Sequence, residues 1–193
     1  MNRRALIAMA ATAATARLLP TQARAQSPAR LRPPGALTEE AFQRACIGCF
    51  RCAEVCPVLA IRFPRTFSLE SALPFIEARE RACVLCMKCT QVCPTDALTE
   101  IAPQPDVVAA SVRMGEPVLD RSRCLPWTGQ GNCRLCHTVC PYADRAVEVV
   151  GPAAAPFFHR EACVGCGLCE EACPPDVHAI RIVPPLASPE RER

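Results

Sequence analysis

The chain has 193 residues, half of them hydrophobic by count, but only nine are aromatic (seven Phe, one Trp, one Tyr), and cysteine and alanine supply much of the rest. Sixteen cysteines in so short a chain call for covalent or metal staples to supplement a thin core. The net charge of +3 is no sign of nucleic-acid binding: residues 1–25 hold four arginines and no acid, so the remainder carries −1, and no basic stretch is interleaved with aromatics.

In chain order, the first feature is an address. Arg3 and Arg4 precede a short Ala/Thr-rich apolar run to Ala16, then a polar stretch ending Ala23-Arg24-Ala25. That is a charged n-region, a weak h-region and a small-x-small cleavage site. The run is broken by Arg17 and is too short to span a bilayer, which takes about 20 apolar residues. The paired arginines, followed by Leu6 in the usual Phe position, identify a twin-arginine signal, with cleavage expected after Ala25. An ordinary secretory signal with incidental arginines is the alternative.

Residues 26–37, with Pro28, Pro33, Pro34 and Gly35, are expected to form a Pro-rich tether. Thr38 is placed to cap a short helix running through Ala45. Cysteines then arrive in four groups: Cys46, Cys49, Cys52, Cys56; Cys83, Cys86, Cys89, Cys93; Cys124, Cys133, Cys136, Cys140; and Cys163, Cys166, Cys169, Cys173. Their first members are 37, 41 and 39 residues apart, so the chain is an internal repeat. Groups one, two and four follow C-x2-C-x2-C-x3-C-P, ending at Pro57, Pro94 and Pro174. Group three ends the same way at Pro141, but an insertion, residues 125–132, displaces its first cysteine upstream.

Apolar alternating runs flank the groups and predict short strands: residues 60–63, 74–77, 97–101, 117–120, 146–150, 156–159 and 179–183. Strand, cysteine loop, helical turn, strand is half of a ferredoxin. The fold expected is therefore α+β, with a first ferredoxin-like unit over 38–101, a linker insert over 102–116 and a second unit over 117–183. The Pro-rich, charged tail 184–193 is expected to be disordered.

The rhythm has a chemical reason. Cysteines two residues apart on a looping backbone reach three corners of one cubane, and the fourth, three residues on and followed by proline, points away to ligate a second cluster. All sixteen cysteines (Cys46, Cys49, Cys52, Cys56, Cys83, Cys86, Cys89, Cys93, Cys124, Cys133, Cys136, Cys140, Cys163, Cys166, Cys169 and Cys173) are thus read as ligands of four [4Fe–4S] clusters. Gly48 and Gly165 sit between the first two ligands of groups one and four, where backbone bends closely around sulfide. Leu85 and Leu135 hold that place in groups two and three. Three rivals are weaker. Disulfides do not repeat this spacing, and i/i+3 cysteines pair poorly within one turn. Zinc sites pair C-x2-C with C-x2-C across a longer loop. Cys133-Arg-Leu-Cys136-His137 matches a c-haem attachment motif, yet that reading orphans Cys124 and Cys140. It also conflicts with export, because haem is attached to unfolded chain, whereas a cluster protein crosses folded by the twin-arginine route.

His137 is read as a loop side chain hydrogen-bonding near the third cluster. His159 and His178 are read as structural, and Trp127 and Tyr142 as packing. No catalytic triad, phosphate-binding loop or paired carboxylates stand out, so no catalytic residue is assigned and the chain is read as an electron carrier without a substrate site. How the groups pair is left open between adjacent (one with two, three with four) and nested (one with four, two with three). The short gap between groups three and four favours the adjacent arrangement.

The signal, the four motifs, the stretched third motif and the want of a C-terminal anchor resemble the MauM/NapG family of ferredoxin-type proteins along essentially the whole chain. The resemblance implies a periplasmic protein exported by the twin-arginine route and membrane-associated only through a partner. It would take electrons from a membrane ferredoxin-like quinol dehydrogenase and pass them to a periplasmic cytochrome or reductase, as in nitrate reduction or methylamine oxidation. Two other readings are an electron-transfer subunit of a molybdopterin oxidoreductase or exported hydrogenase, and a factor that matures another protein's cofactor.

Overall fold

The computed structural model describes residues 30–64, 73–174 and 176–185. The signal 1–25 and almost all of the 184–193 tail lie outside the described residues.

Short elements alternate with loops, as the repeat predicts. The first half contains α1 (Glu39–Ala45), α2 (Arg51–Glu54), β1 (Ile61–Arg62), β2 (Phe75–Ile76) and α3 (Lys88–Gln91). The second contains α4 (Pro105–Ser111), β3 (Glu116–Leu119), α5 (Leu125–Thr128), α6 (Leu135–Thr138), β4 (Val147–Val150), β5 (Ala155–Phe158), α7 (Leu168–Ala172) and β6 (Ile180–Val183). This is an α+β fold of two-stranded antiparallel ribbons and helices of one or two turns.

Strand pairing follows one plan twice. In the second half β4 pairs with β5 and β3, which precedes group three, pairs with β6, which follows group four. In the first half β1 pairs with β2, and the outer pair is reduced to a bridge between Ala36 and Leu98. The run 97–101, expected as a strand, therefore stays irregular. Its partner segment begins with Pro33 and Pro34, which bring no amide donors, and turns at Gly35 with φ +77°. Only the Leu37 amide to the Ala97 carbonyl (3.2 Å) and the Thr99 amide to the Gly35 carbonyl (2.7 Å) extend the contact.

The described part of the segment expected to be a tether packs against the first half. Leu31, Pro33 and Pro34 are buried, and the Ile76 amide donates to the Leu31 carbonyl (2.8 Å). Arg32 donates from Nε to Glu39 (2.9 Å) and from Nη1 to the Pro74 carbonyl (2.8 Å). Thr38 stands at the start of α1, but its hydroxyl makes no capping bond. The acids Glu39 and Glu40 in the first turn complement the helix dipole instead.

The insert 102–116 is likewise structured, with α4 burying Val108, and Val112 and Met114 buried just beyond it. The fully buried side chains of any size are few, Phe42 and Met87 in the first half and Val147 and Val164 in the second among them. Each is worth about 1.5–3 kcal/mol on burial. Much of the remaining core is alanine and cysteine, so the space the cysteines enclose lies where larger side chains would otherwise pack.

Candidate cluster-binding sites

Each group uses the same local device. Its third cysteine (Cys52, Cys89, Cys136 or Cys169) lies in a helical turn, α2, α3, α6 or α7 respectively. In groups one, two and four the residue before the turn is left-handed: Phe50 (φ 66°), Met87 (φ 56°) and Gly167 (φ 87°). A second left-handed residue lies between the first two cysteines, Gly48, Leu85 or Gly165. Two such reversals curl the loop so that successive thiols face inward. Leu85 and the non-glycine pair Phe50 and Met87 adopt this conformation at about 1–2 kcal/mol each, a strain held by the surrounding structure. Leu135 does not occupy the corresponding place. It opens α6, because the insertion separates the first two cysteines of group three and moves Leu135 one step along the motif.

All sixteen cysteines are free thiols, and in the second half two sets each draw three cysteines from one group and one from its sequence neighbour. Cys124, Cys133 and Cys136 line a cavity together with Cys173. Cys163, Cys166 and Cys169 line another with Cys140. The walls are apolar, with Pro126, Pro156 and Ile180 around the first and Val147, Phe158 and Ile182 around the second.

In the first half, burial pushes Cys83 up to about 11 against the Leu85 amide, with Cys86 and Cys56 adding to the rise. Burial also raises Cys46, the Gly48 amide opposing and the neighbouring Cys93 and Cys49 contributing. Cys93 thus stands with group one and Cys56 with group two. The exchange is adjacent, one with two and three with four.

Several sulfurs accept amide hydrogens: Ala60 N–H to Cys56 Sγ (3.3 Å), Leu85 N–H to Cys83 Sγ (3.4 Å) and Ala179 N–H to Cys173 Sγ (3.4 Å). Burial also acts on Cys93, but the Thr95, Leu98 and Ala97 amides and the Thr95 hydroxyl outweigh it and hold this thiol below its ordinary value. Burial raises Cys136 to about 12, Cys133 adding and the His137 amide opposing. That amide is His137's contribution to the site. Its ring pairs Nε2 with Oδ1 of the exposed Asp144 (2.7 Å).

The donor set suits a large group. Among the described residues no three His, Cys, Asp or Glu side chains converge on a point that would hold a single ion, as zinc at about 2.3 Å from each sulfur requires. Thiols set around an apolar cavity, with amides aimed at sulfur, fit a cubane several ångströms across whose iron corners each take one thiolate.

The other polar residues are accounted for by packing. Trp127 Nε1 donates to the Pro156 carbonyl (3.2 Å), its ring lies 5.0 Å from Phe157 and Arg121 stacks over it at 4.2 Å. Tyr142 donates to the Pro105 carbonyl (3.0 Å). His159 lies 3.5 Å from Glu148, and His178 lies 3.2 Å from Arg79.

Sequence reasoning missed Arg79, whose Nη1 donates to the carbonyls of Glu170 and Cys173 (2.7 Å each), and Glu171, which accepts the Ala82 amide (2.9 Å). Nothing in spacing or composition marks residues that join segments about 90 positions apart.

Comparison with known proteins agrees with this geometry. Residues 45–97 match a model described as a 4Fe-4S dicluster domain, and residues 156–177 one described as a 4Fe-4S binding domain. The chain is 35% identical over 149 residues to the ferredoxin-type protein NapG of Escherichia coli, covering 70% of this chain and 62% of that protein. It is 35% identical over 146 residues to the methylamine utilization ferredoxin-type protein MauM of Methylorubrum extorquens, covering 70% and 64%. The matched region thus spans under two thirds of these relatives' lengths. Among solved structures, a chain of the formate dehydrogenase–heterodisulfide reductase–formylmethanofuran dehydrogenase complex of Methanospirillum hungatei aligns over 68% of this chain and 46% of that one. Its identity is 23% and its TM-score 0.25, too low to bear on the fold.

Proposed function

We propose, from the premise that this chain is a ferredoxin-type iron–sulfur protein related to those named NapG and MauM, that it holds four [4Fe–4S] clusters and relays single electrons between two redox partners. The observation that carries the proposal is that, among sixteen free thiols, two cavities are each lined by three cysteines of one group and one of its sister, with Cys93 beside Cys46 and Cys56 beside Cys83 in the first half.

Each set holds one cluster: Cys46, Cys49, Cys52 and Cys93; Cys83, Cys86, Cys89 and Cys56; Cys124, Cys133, Cys136 and Cys173; Cys163, Cys166, Cys169 and Cys140. A cluster of this kind takes up or releases one electron, over a potential range that the protein tunes. The chain's own contribution is to fix spacing, exclude water with apolar walls and donate amide hydrogens to sulfur, which favour the reduced state. No substrate site is assigned, and the chain is taken as a carrier rather than an enzyme.

The donor proposed is a membrane quinol-oxidising, ferredoxin-like partner, and the acceptor a periplasmic cytochrome or reductase. The nitrate-reduction and methylamine-oxidation pathways both remain within the reading. The signal at residues 1–25 supports export already folded and cleavage after Ala25. No helix among the described residues is long and apolar enough to cross a membrane, which is in keeping with attachment through a partner.

Protein purified without oxygen is expected to be brown, with about sixteen irons and as many sulfides per chain and an EPR signal on reduction. A colourless protein holding zinc or cystine overturns the proposal.

A second reading, a stable subunit of a larger oxidoreductase, is favoured by the apolar rim beside exposed Cys49, where Ile47 is 68% and Phe50 50% exposed. Co-purification of a large molybdenum- or nickel-bearing chain is the result it requires.

A further inference from the structure

The two halves meet at particular cysteines. The Cys83 amide, in the first ligand of group two, donates to the Cys166 carbonyl, in the second ligand of group four, at 2.9 Å. One hydrogen bond therefore links ligand backbones from different halves, and the Cys83 thiol lies near enough to contribute, after burial, to raising that of Cys166.

The segment leading into Cys83 is fastened along the same seam. Arg79 Nη1 donates to the carbonyls of Glu170 and Cys173 at 2.7 Å each, and the Ala82 amide donates to Glu171 Oε2 at 2.9 Å. Gly167 packs so closely that a Cβ there would collide with the methyl of Ala78 and touch that of Ala82.

No cysteine of groups one or three takes part in these contacts, and the third set reaches the seam only through the carbonyl of Cys173, which accepts from Arg79. Cys49 is exposed beside exposed Ile47 and Phe50, and Cys133 follows the exposed residues 128–132. Cys166 and Cys169, beside the seam, are buried, as are Cys124 and Cys136 of group three.

We infer that electrons pass through the molecule in the spatial order group one, group two, group four, group three, crossing between halves at the Cys83–Cys166 contact. Arg79, Ala78 and Gly167 act as positioning residues that hold that gap short. The inference rests on the four-cluster reading above. At the crossing one electron moves: the donor set is oxidised by one, the acceptor set is reduced by one, and no bond or proton is exchanged. Transfer by tunnelling weakens steeply with distance, so a contact between ligand backbones is where the crossing is fastest.

The test is magnetic coupling between selected pairs in the dithionite-reduced full chain. Cys46→Ala with Cys52→Ala empties the first set, and Cys124→Ala with Cys136→Ala empties the third. The combined variant retains groups two and four and about eight irons, and its EPR spectrum is expected to be split by spin–spin interaction. A companion emptied of the first and fourth sets, by Cys46→Ala, Cys52→Ala, Cys163→Ala and Cys169→Ala, retains groups two and three and is expected to show the weaker splitting. Equal or stronger splitting in the companion overturns the order.

Should either variant lose more iron than intended, Ala78→Leu in the otherwise intact chain decides the matter. Wedging the seam is expected to diminish one inter-cluster interaction while about sixteen irons remain bound, and an unchanged interaction overturns the inference. A wild-type chain lacking about sixteen irons fails the four-cluster reading instead, and iron analysis separates that failure from the others.

Discussion

Thr90 illustrates how closely buried polar atoms are matched in so small a molecule. Its hydroxyl donates to the Met87 carbonyl (2.8 Å) and accepts the Ile101 amide (3.2 Å), tying the turn α3 to the strand-like segment that follows group two. Thr90→Val keeps the shape and orphans a buried amide, which costs about 1–3 kcal/mol. A lowered melting temperature with full iron content is expected, and an unchanged melt shows that the bond contributes nothing.

Glu39 makes a pH-dependent contribution. The Arg32 guanidinium bonded to it holds its carboxyl below the ordinary value, burial opposing and Gln43 assisting. A depressed carboxylate stabilises the fold above its unfolded pKa and loses that contribution as pH falls through the folded one. The side chain is 41% exposed, so solvent screening limits the pair to about 0.2–1 kcal/mol. Glu39→Gln is therefore expected to melt slightly below wild type near neutrality, with the difference closing in acid. A gap that persists in acid rules out the charge as its source.

At the scale of elements, the helical turns carrying each third cysteine also aim the fourth away from its own group. Strand pairing completes the exchange. β1 with β2, and β3 and β4 with β6 and β5, bring neighbouring groups face to face. Cys56→Ala is accordingly expected to disturb the cluster held by Cys83, Cys86 and Cys89, and to spare the one held by Cys46, Cys49, Cys52 and Cys93. EPR of that variant with Cys46→Ala alongside tells the two apart, and loss of the same signal from both contradicts the crossed arrangement.

The insertion in group three shows what spacing reveals and what it hides. The lengthened gap between Cys124 and Cys133 announced only that the first cysteine is displaced upstream. Leu125–Thr128 form a helix held by Trp127 against β5, because an aromatic ring with an indole donor finds both an apolar neighbour and a carbonyl there. The helix carries the loop back so that Cys124 rejoins Cys133 and Cys136. Trp127→Ala is expected to release iron first from this set under mild chelation, as followed by EPR, and simultaneous loss from all sets argues against such a local role.

At the scale of the whole molecule, few large side chains among the described residues are fully buried, and two cavities lined by thiols lie within the second half. Thiols raised by burial do not ionise readily on their own, so iron binding and folding are coupled. Removal of iron by a chelator under reducing, anaerobic conditions is expected to abolish the cooperative thermal transition followed by circular dichroism. A cooperative melt in iron-free protein shows that the polypeptide core suffices.

The grouping of the thiols was legible because this spacing is local. Cysteines two and three residues apart, closed by proline, place thiols by the reach of a few bonds, whatever the rest of the fold does. For the same reason period-2 runs located all four strands of the second half, where each has a partner of matching length. The strand expected at 97–101 dwindled to a bridge because prolines stripped its partner of donors, a property of another segment. Residues expected to hang loose from Arg30 onward are packed, since two buried prolines and Arg32 find partners across β2 and α1. Which group receives each fourth cysteine, and that groups two and four touch, depend on hydrogen bonds from amides and carbonyls that every residue carries and on glycine and alanine packed too tightly for anything larger. The placing of sulfur along the chain was thus determined by the sequence alone, whereas only the tertiary structure decided how the groups are joined, because long-range backbone contacts leave no mark on residue type.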